Sequence, residues 1–114
     1  MITYVVTIFI KKDVEQDWVS WMRNQHLPDV MSTGCFTERR FGKIVNGNNK
    51  EEYSEYLIQY MCRTMSDYNR YQDDFAPKLQ KEHTERYSGQ FEASRQLLKL
   101  KSEKHCVQEK VEFF

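Results

Sequence analysis

The sequence has no surplus of positive charge: 17 Lys and Arg are matched by 17 Asp and Glu. Proteins that bind nucleic acid by neutralising phosphates carry a basic excess, so no nucleic-acid partner is expected. Glycine is scarce, with 4 in 114 residues. None lies in a phosphate-cradling loop or a Gly-x-Ser-x-Gly nucleophile elbow. No apolar run approaches the roughly 18 residues that a membrane-spanning helix needs, so no membrane association is expected. The opening MITYVVTIFI lacks a basic stretch and a small-residue cleavage site, which argues against a signal peptide. Only 3 cysteines occur, and Cys35, Cys62 and Cys106 are widely spaced. An odd, scattered set fits reduced thiols in a cytoplasm better than a disulfide framework. Among these cysteines and the histidines, only His105 and Cys106 are adjacent, so no metal site and no cofactor is expected.

Aromatic residues are plentiful, at 14% of the chain, and a chain this rich in them folds. Its length suits one domain. Residues Ile2–Ile10 alternate, with Ile2, Tyr4, Val6, Ile8 and Ile10 on one face and Thr3, Val5, Thr7 and Phe9 on the other. Apolar groups on both faces predict a central strand buried on both sides. Asp13, with Gln16 three residues on, predicts a helix start. Trp18, Trp21 and Met22 form its apolar stripe. Pro28 restricts Leu27 and predicts a stop near His26, followed by a short helix Pro28–Thr33 closed by Gly34. Cys35–Val45 reads as a charged edge strand and Ser54–Arg63 as a second two-faced strand. Ser66 is the expected cap of the next helix, which Pro77 interrupts near Ala76 before it continues to about Arg86. Phe91–Leu100 is the fourth strand. Residues 101–114 mark a shift to charged composition and read as a flexible extension of a domain spanning 1–100.

The order β-α-β-β-α-β predicts an α+β, ferredoxin-like fold: a four-stranded antiparallel sheet with helices on one face. Val5, Phe9, Leu57 and Met61 would then lie on the uncovered face. A second copy packed sheet to sheet would cover them, giving a homodimer with a barrel between the sheets. RNA-recognition modules share this order, but the third strand, EYLIQYMCR, lacks their basic aromatic pattern.

Several runs resemble a bacterial family of unknown function within the dimeric α/β-barrel superfamily. They are Trp18-x-x-Trp21-Met22-x-x-x-His26-x-Pro28-x-Val30, Thr33-Gly34-x-Phe36, and Asp67-Tyr68-x-x-Tyr71-x-x-x-Phe75-Ala76-Pro77-x-Leu79-Gln80-x-x-His83-Thr84-Glu85-Arg86-Tyr87. Gly89-x-Phe91 and Arg95-x-Leu97-Leu98 complete the likeness, which spans about residues 1–100. His26-Leu27-Pro28 is also similar to the end of the first helix in EthD-like proteins. The resemblance implies the fold and supplies no activity; the superfamily includes cofactor-free monooxygenases, isomerases, haem-degrading enzymes and plain ligand-binding proteins.

His26 is the candidate acid–base residue, since it follows an aromatic stripe at a helix end and an imidazole titrates near neutrality. The competing reading is a histidine that ties the helix end to the Pro28 turn. Gln59, among apolar neighbours on the face expected to line the barrel, and Arg40, on the edge strand, are candidates for ligand binding. His83 shares a helical face with Leu79 and Tyr87. It reads as a hydrogen-bonded core residue or a ligand contact, and no second residue at ligand spacing supports haem. Two functions follow. One is a non-enzymatic homodimer, structural or ligand-binding, whose barrel its own side chains fill. The other is a cofactor-free isomerase or monooxygenase acting on a small hydrophobic or aromatic substrate.

Overall fold

The computed structural model describes residues 1–47 and 50–101. The segment 102–114, expected as a flexible extension and carrying His105 and Cys106, lies outside them. Strand β1 is Ile2–Lys11. Helix α1, Glu15–Trp21, runs through a wide π turn, Met22–His26, into α2, Leu27–Ser32. Strands β2, Glu38–Lys43, and β3, Tyr53–Cys62, follow. Helices α3, Met65–Asp74, and α4, Ala76–Arg86, lead to β4, Phe91–Lys99. The sheet is antiparallel in the order β2-β3-β1-β4. This is the expected ferredoxin-like α+β fold, and β1 is central as its two apolar faces required.

Ile2, Tyr4, Val6, Ile8 and Ile10 lie buried under the helices, with Tyr56, Ile58 and Tyr60 beside them on β3. Trp18, Met22, Leu27 and Val30 pack down from α1 and α2. The chain breaks between α3 and α4 at Phe75, whose φ is −127°, and Pro77 falls in the first turn of α4. That placement needs no N–H from Pro77, so the proline costs little there.

Four local expectations fail, each for a physical reason. Asp13 caps nothing: Lys12–Val14 forms a single 3-10 turn and α1 begins at Glu15 without a side-chain cap. The Glu15 carboxylate fixes that start instead. Its Oε1 accepts from Ser54 Oγ at 2.7 Å and its Oε2 from Tyr56 Oη at 2.6 Å, while Lys43 Nζ lies 2.9 Å from Oε2. Burial alone would raise this carboxyl, but those hydrogen bonds prevail and hold it down to about 2. Secondly, Thr64 and not Ser66 caps α3, accepting from the Asp67 backbone N–H and donating to the Asp67 carboxylate. A residue whose partner stands three positions on makes the reciprocal cap. Thirdly, β2 is shorter than Cys35–Val45 because Cys35 and Phe36 turn inward; Phe36 packs against Tyr60 and Tyr71 at 5.1 and 4.8 Å between ring centres.

Fourthly, the first helix does not stop at His26. His26 and Leu27 both keep helical backbone angles, and the Leu27 N–H reaches Met22 O, five residues back. Proline lacks an N–H and its ring crowds the carbonyl four residues earlier. The wider turn makes room for Pro28 and lets the helix continue to Ser32.

The opposite face of the sheet carries no helix. Register places Arg40, Gln59, Val5 and Gln96 in one row across it, with Leu57 opposite Thr7 and Met61 opposite Thr3 in neighbouring rows. Leu98, in the Thr3 row, is 49% exposed. The face is more mixed than the apolar patch expected from Val5, Phe9, Leu57 and Met61, because glutamine and threonine share it.

Cys35 and Cys62 are both free and buried. Burial pushes the Cys62 thiol up, away from the reactive thiolate. Alkylation by iodoacetamide under native conditions should therefore leave both unmodified, and labelling should appear only with denaturant. Rapid native labelling of either by peptide mass mapping would contradict their burial.

Candidate functional site

The space between the helices and the sheet holds a cavity of about 40 Å³. Six elements bring its polar groups together: the π turn supplies His26, α4 supplies Gln80, His83 and Thr84, and β4 supplies Arg95. Tyr4, Tyr60 and Tyr71 complete the polar lining from β1, β3 and α3. The two imidazoles meet edge to face, with ring centres 5.7 Å apart and 64° between their planes. Trp21 packs on both, at 5.2 Å from His26 and 5.7 Å from His83.

Hydrogen bonding settles which nitrogen of His83 carries the proton. Trp18 Nε1 donates to His83 Nε2 at 2.9 Å in the buried core. Indole is a donor only, so Nε2 holds a lone pair and the proton of the neutral ring sits on Nδ1. Burial, then the nearby His26 and the Arg95 charge, push the His83 pKa down to about 3. Burial likewise lowers His26 to about 4, against an opposing pull from Asp29. Both imidazoles are thus neutral at ordinary pH. His26 Nδ1 is buried with no hydrogen-bond partner among the described residues. A buried polar atom of that kind is ordinarily satisfied by ordered water or a bound molecule.

His26 and His83, singled out for separate reasons, thus share one cavity. Arg40 and Gln59 do not join them. They pair across β2 and β3 on the helix-free face, with the sheet between them and His26. Arg40, Leu57 and Gln59 border a separate, open depression there. The cavity therefore lies under the helices, and the barrel between sheets that the sequence suggested as the ligand space is a different place. Sequence reasoning missed Trp18 as the donor to His83, the three tyrosines and Arg95. The signal for Arg95 was present: Phe91, Ala93, Arg95 and Leu97 alternate on the inward face of β4, and a cation at an inward position is unusual. Among the described residues no group of three or more His, Cys, Asp or Glu is placed to hold a metal ion.

Sheet order and one-sided helices define a ferredoxin-like α+β fold, here with a histidine-lined cavity beneath the helices. The chain belongs to the domain-of-unknown-function family DUF4286, whose model matches residues 1–101. It is similar in fold to an EthD-family protein from Bacillus halodurans, at 11% identity and a TM-score of 0.63, covering 89% of this chain and all of that one. A dimeric ferredoxin-like protein from an uncultured marine organism superposes with a TM-score of 0.64 at 12% identity, over 90% of this chain and 96% of the other. The cofactor-independent oxygenase SnoaB from Streptomyces nogalater does so with a TM-score of 0.58 at 9% identity, over 89% and 94%. No curated protein matches the sequence. No helix among the described residues is long and apolar enough to cross a membrane.

Proposed function

We propose that this protein is a homodimeric small-molecule-binding module that holds its ligand in the cavity between helices and sheet and acts through binding rather than turnover. The observation that carries this is the pair of neutral imidazoles fixed 5.7 Å apart in one cavity, one of them with an unpartnered buried nitrogen. Polar groups converging on an aromatic-lined hollow are what a binding site requires. A hollow of about 40 Å³ admits part of a molecule and leaves little room for a substrate and a second reactant. The second reading, a cofactor-free isomerase or monooxygenase with His26 as base, draws on the same unpartnered nitrogen. Dimerisation rests on the helix-free face, where Val5, Leu57 and Met61 are only half buried in one chain and a second copy would cover them. Residues 1–100 would form the whole folding unit, and the reduced, buried thiols fit a bacterial cytoplasm.

Light scattering should return twice the chain mass at micromolar concentration. The double substitution Val5→Glu, Leu57→Glu should give monomers or insoluble protein, whereas monomeric wild type would end the dimer proposal. Native mass spectrometry of the purified protein, followed by thermal melts against a panel of neutral and charged aromatic compounds, tests the cavity. His26→Leu should lose every ligand-dependent shift in melting temperature. His26→Asn, which keeps a donor and an acceptor, should retain part of it. A panel with no ligand-dependent shift in wild type would remove the binding reading, and turnover of any panel member that His26→Asn abolishes would favour the enzyme.

A further inference from the structure

The cavity's lining has an uneven charge character that narrows what it can hold. Arg95 lines it, and no Asp or Glu does. Pairing of Arg95 with Val6 in the β1–β4 ladder puts its side chain on the helix side of the sheet. Arg95, Thr84 and Gln80 form the rim, the first two exposed and the third half-buried, while Tyr4, Ile58 and Tyr60 are deep. The Arg95 charge reaches inward, where it bears on His83 and Tyr71. Asp29, the acidic group that bears on His26, lies on α2 and is not part of the lining. The remaining polar groups are two neutral imidazoles, three phenols, an amide and a hydroxyl, each of which can present a donor. A hollow bordered by donors and one guanidinium, without a carboxylate, is matched to an acceptor-rich anion.

Size then selects the kind of anion. A hollow of about 40 Å³ is small for a whole ligand and admits a compact polar group at its inner end. A carboxylate is such a group. We propose that the cavity takes the carboxylate of a small organic acid, with Arg95 as its counter-ion and the body of the acid lying between α4 and β4 against Phe91. This rests on the binding reading above and names the chemical class of its ligand. Arg95 is here a specificity-determining residue: its planar fork distinguishes a carboxylate from the neutral amide of the same shape.

Benzoate and benzamide are the probes, since they differ in charge and hardly in shape. The Trp18 indole N–H signal, which reports the hydrogen bond to His83, is followed by NMR in the full chain. Benzoate should shift it with an affinity about tenfold or more above that of benzamide, the scale of one charge-assisted contact. Arg95→Gln should bring benzoate down to the benzamide level, closing the gap between the two probes. Arg95→Lys, which keeps the charge and loses the fork, should fall between. Raising salt to about 0.5 M should weaken benzoate selectively in wild type, a check that needs no variant. Equal affinities for the two probes would overturn the carboxylate assignment and leave the binding reading standing. Full-strength benzoate binding by Arg95→Gln would overturn it as well, by placing the anion elsewhere. Silence of the indole signal towards both probes, together with an unresponsive neutral panel, would remove both proposals.

Discussion

Trp18→Ala should take away most of the domain's margin of stability. The indole is fully buried, with ring centres 4.9 Å from Tyr56 and 5.7 Å from Phe41. Truncating such a side chain costs about 3–5 kcal/mol through lost burial and the cavity left behind. Stranding the His83 acceptor adds about 1–3 kcal/mol. Against a total of roughly 5–15 kcal/mol for a domain, that sum is close to unfolding. Trp18→Phe separates the two parts, since it keeps most of the ring and loses only the donor. Its expected cost is about 1–3 kcal/mol. Combining Trp18→Phe with His83→Leu should then cost less than the two single changes added, because the stranded acceptor is gone. Urea unfolding followed by far-ultraviolet circular dichroism measures the wild type and the four variants. Wild-type stability in Trp18→Phe would show that the buried indole–imidazole bond contributes nothing.

The second large effect is acid lability well above the range in which carboxylates titrate. Unfolded, His26 and His83 take up protons near 6.5; folded, they do so only near 4 and 3. Below 6.5 the unfolded chain therefore binds more protons than the folded one, and stability falls as pH falls. Above that value both states hold neutral imidazoles, and these two groups impose no slope. Each histidine contributes up to about 1.4 kcal/mol per pH unit, so the pair removes about 4 kcal/mol by about pH 5. Glu15 acts in a lower window: its contribution is complete above 4.5 and is lost as pH falls towards 2. Urea midpoints at half-unit intervals between about pH 5 and 8 should thus be level at the top and decline below about 6.5. His26→Asn should remove about half the slope in that interval. A flat profile across it would mean that water reaches both rings.

The two central strands were legible because β1 and β3 alternate apolar groups on both faces, a pattern that admits little else. The α3–α4 break was legible in Pro77 for the same local reason. Pro28 was read by that rule too, and here the rule lost. The buried residues Trp18, Met22, Leu27 and Val30 are spaced four, five and three apart. In a regular α-helix five residues turn about 500°, which would carry Leu27 about 140° away from Met22. The π turn brings it back, so burial of Leu27 and relief of Pro28 favour the same wide winding. The irregular spacing was visible in the sequence, but only burial shows that all four side chains must face inward. The cavity was legible in its parts and not as a whole. His26 and His83 each stood out, yet their meeting joins the π turn to α4 across the core, and no local pattern encodes that. Gln59 was assigned to the face that carries Leu57 and Met61, as its register shows. What misled was the assumption that the helix side is solid core and the space between copies is the hollow. The gap lies on the helix side instead, lined by His26, His83 and Arg95.

The neighbourhood of the two imidazoles also has an optical consequence. The chain has only 2 tryptophans, and both stand against the cavity histidines: Trp18 by a hydrogen bond to His83, Trp21 by packing on both rings. Every photon of indole fluorescence from this molecule is therefore emitted beside the cavity, with no distant chromophore to dilute it. Protonated imidazole is a strong quencher of excited indole and neutral imidazole a weak one. The indole emission of the unlabelled protein thus responds to the charge on His26 and His83, and to anything that enters between them.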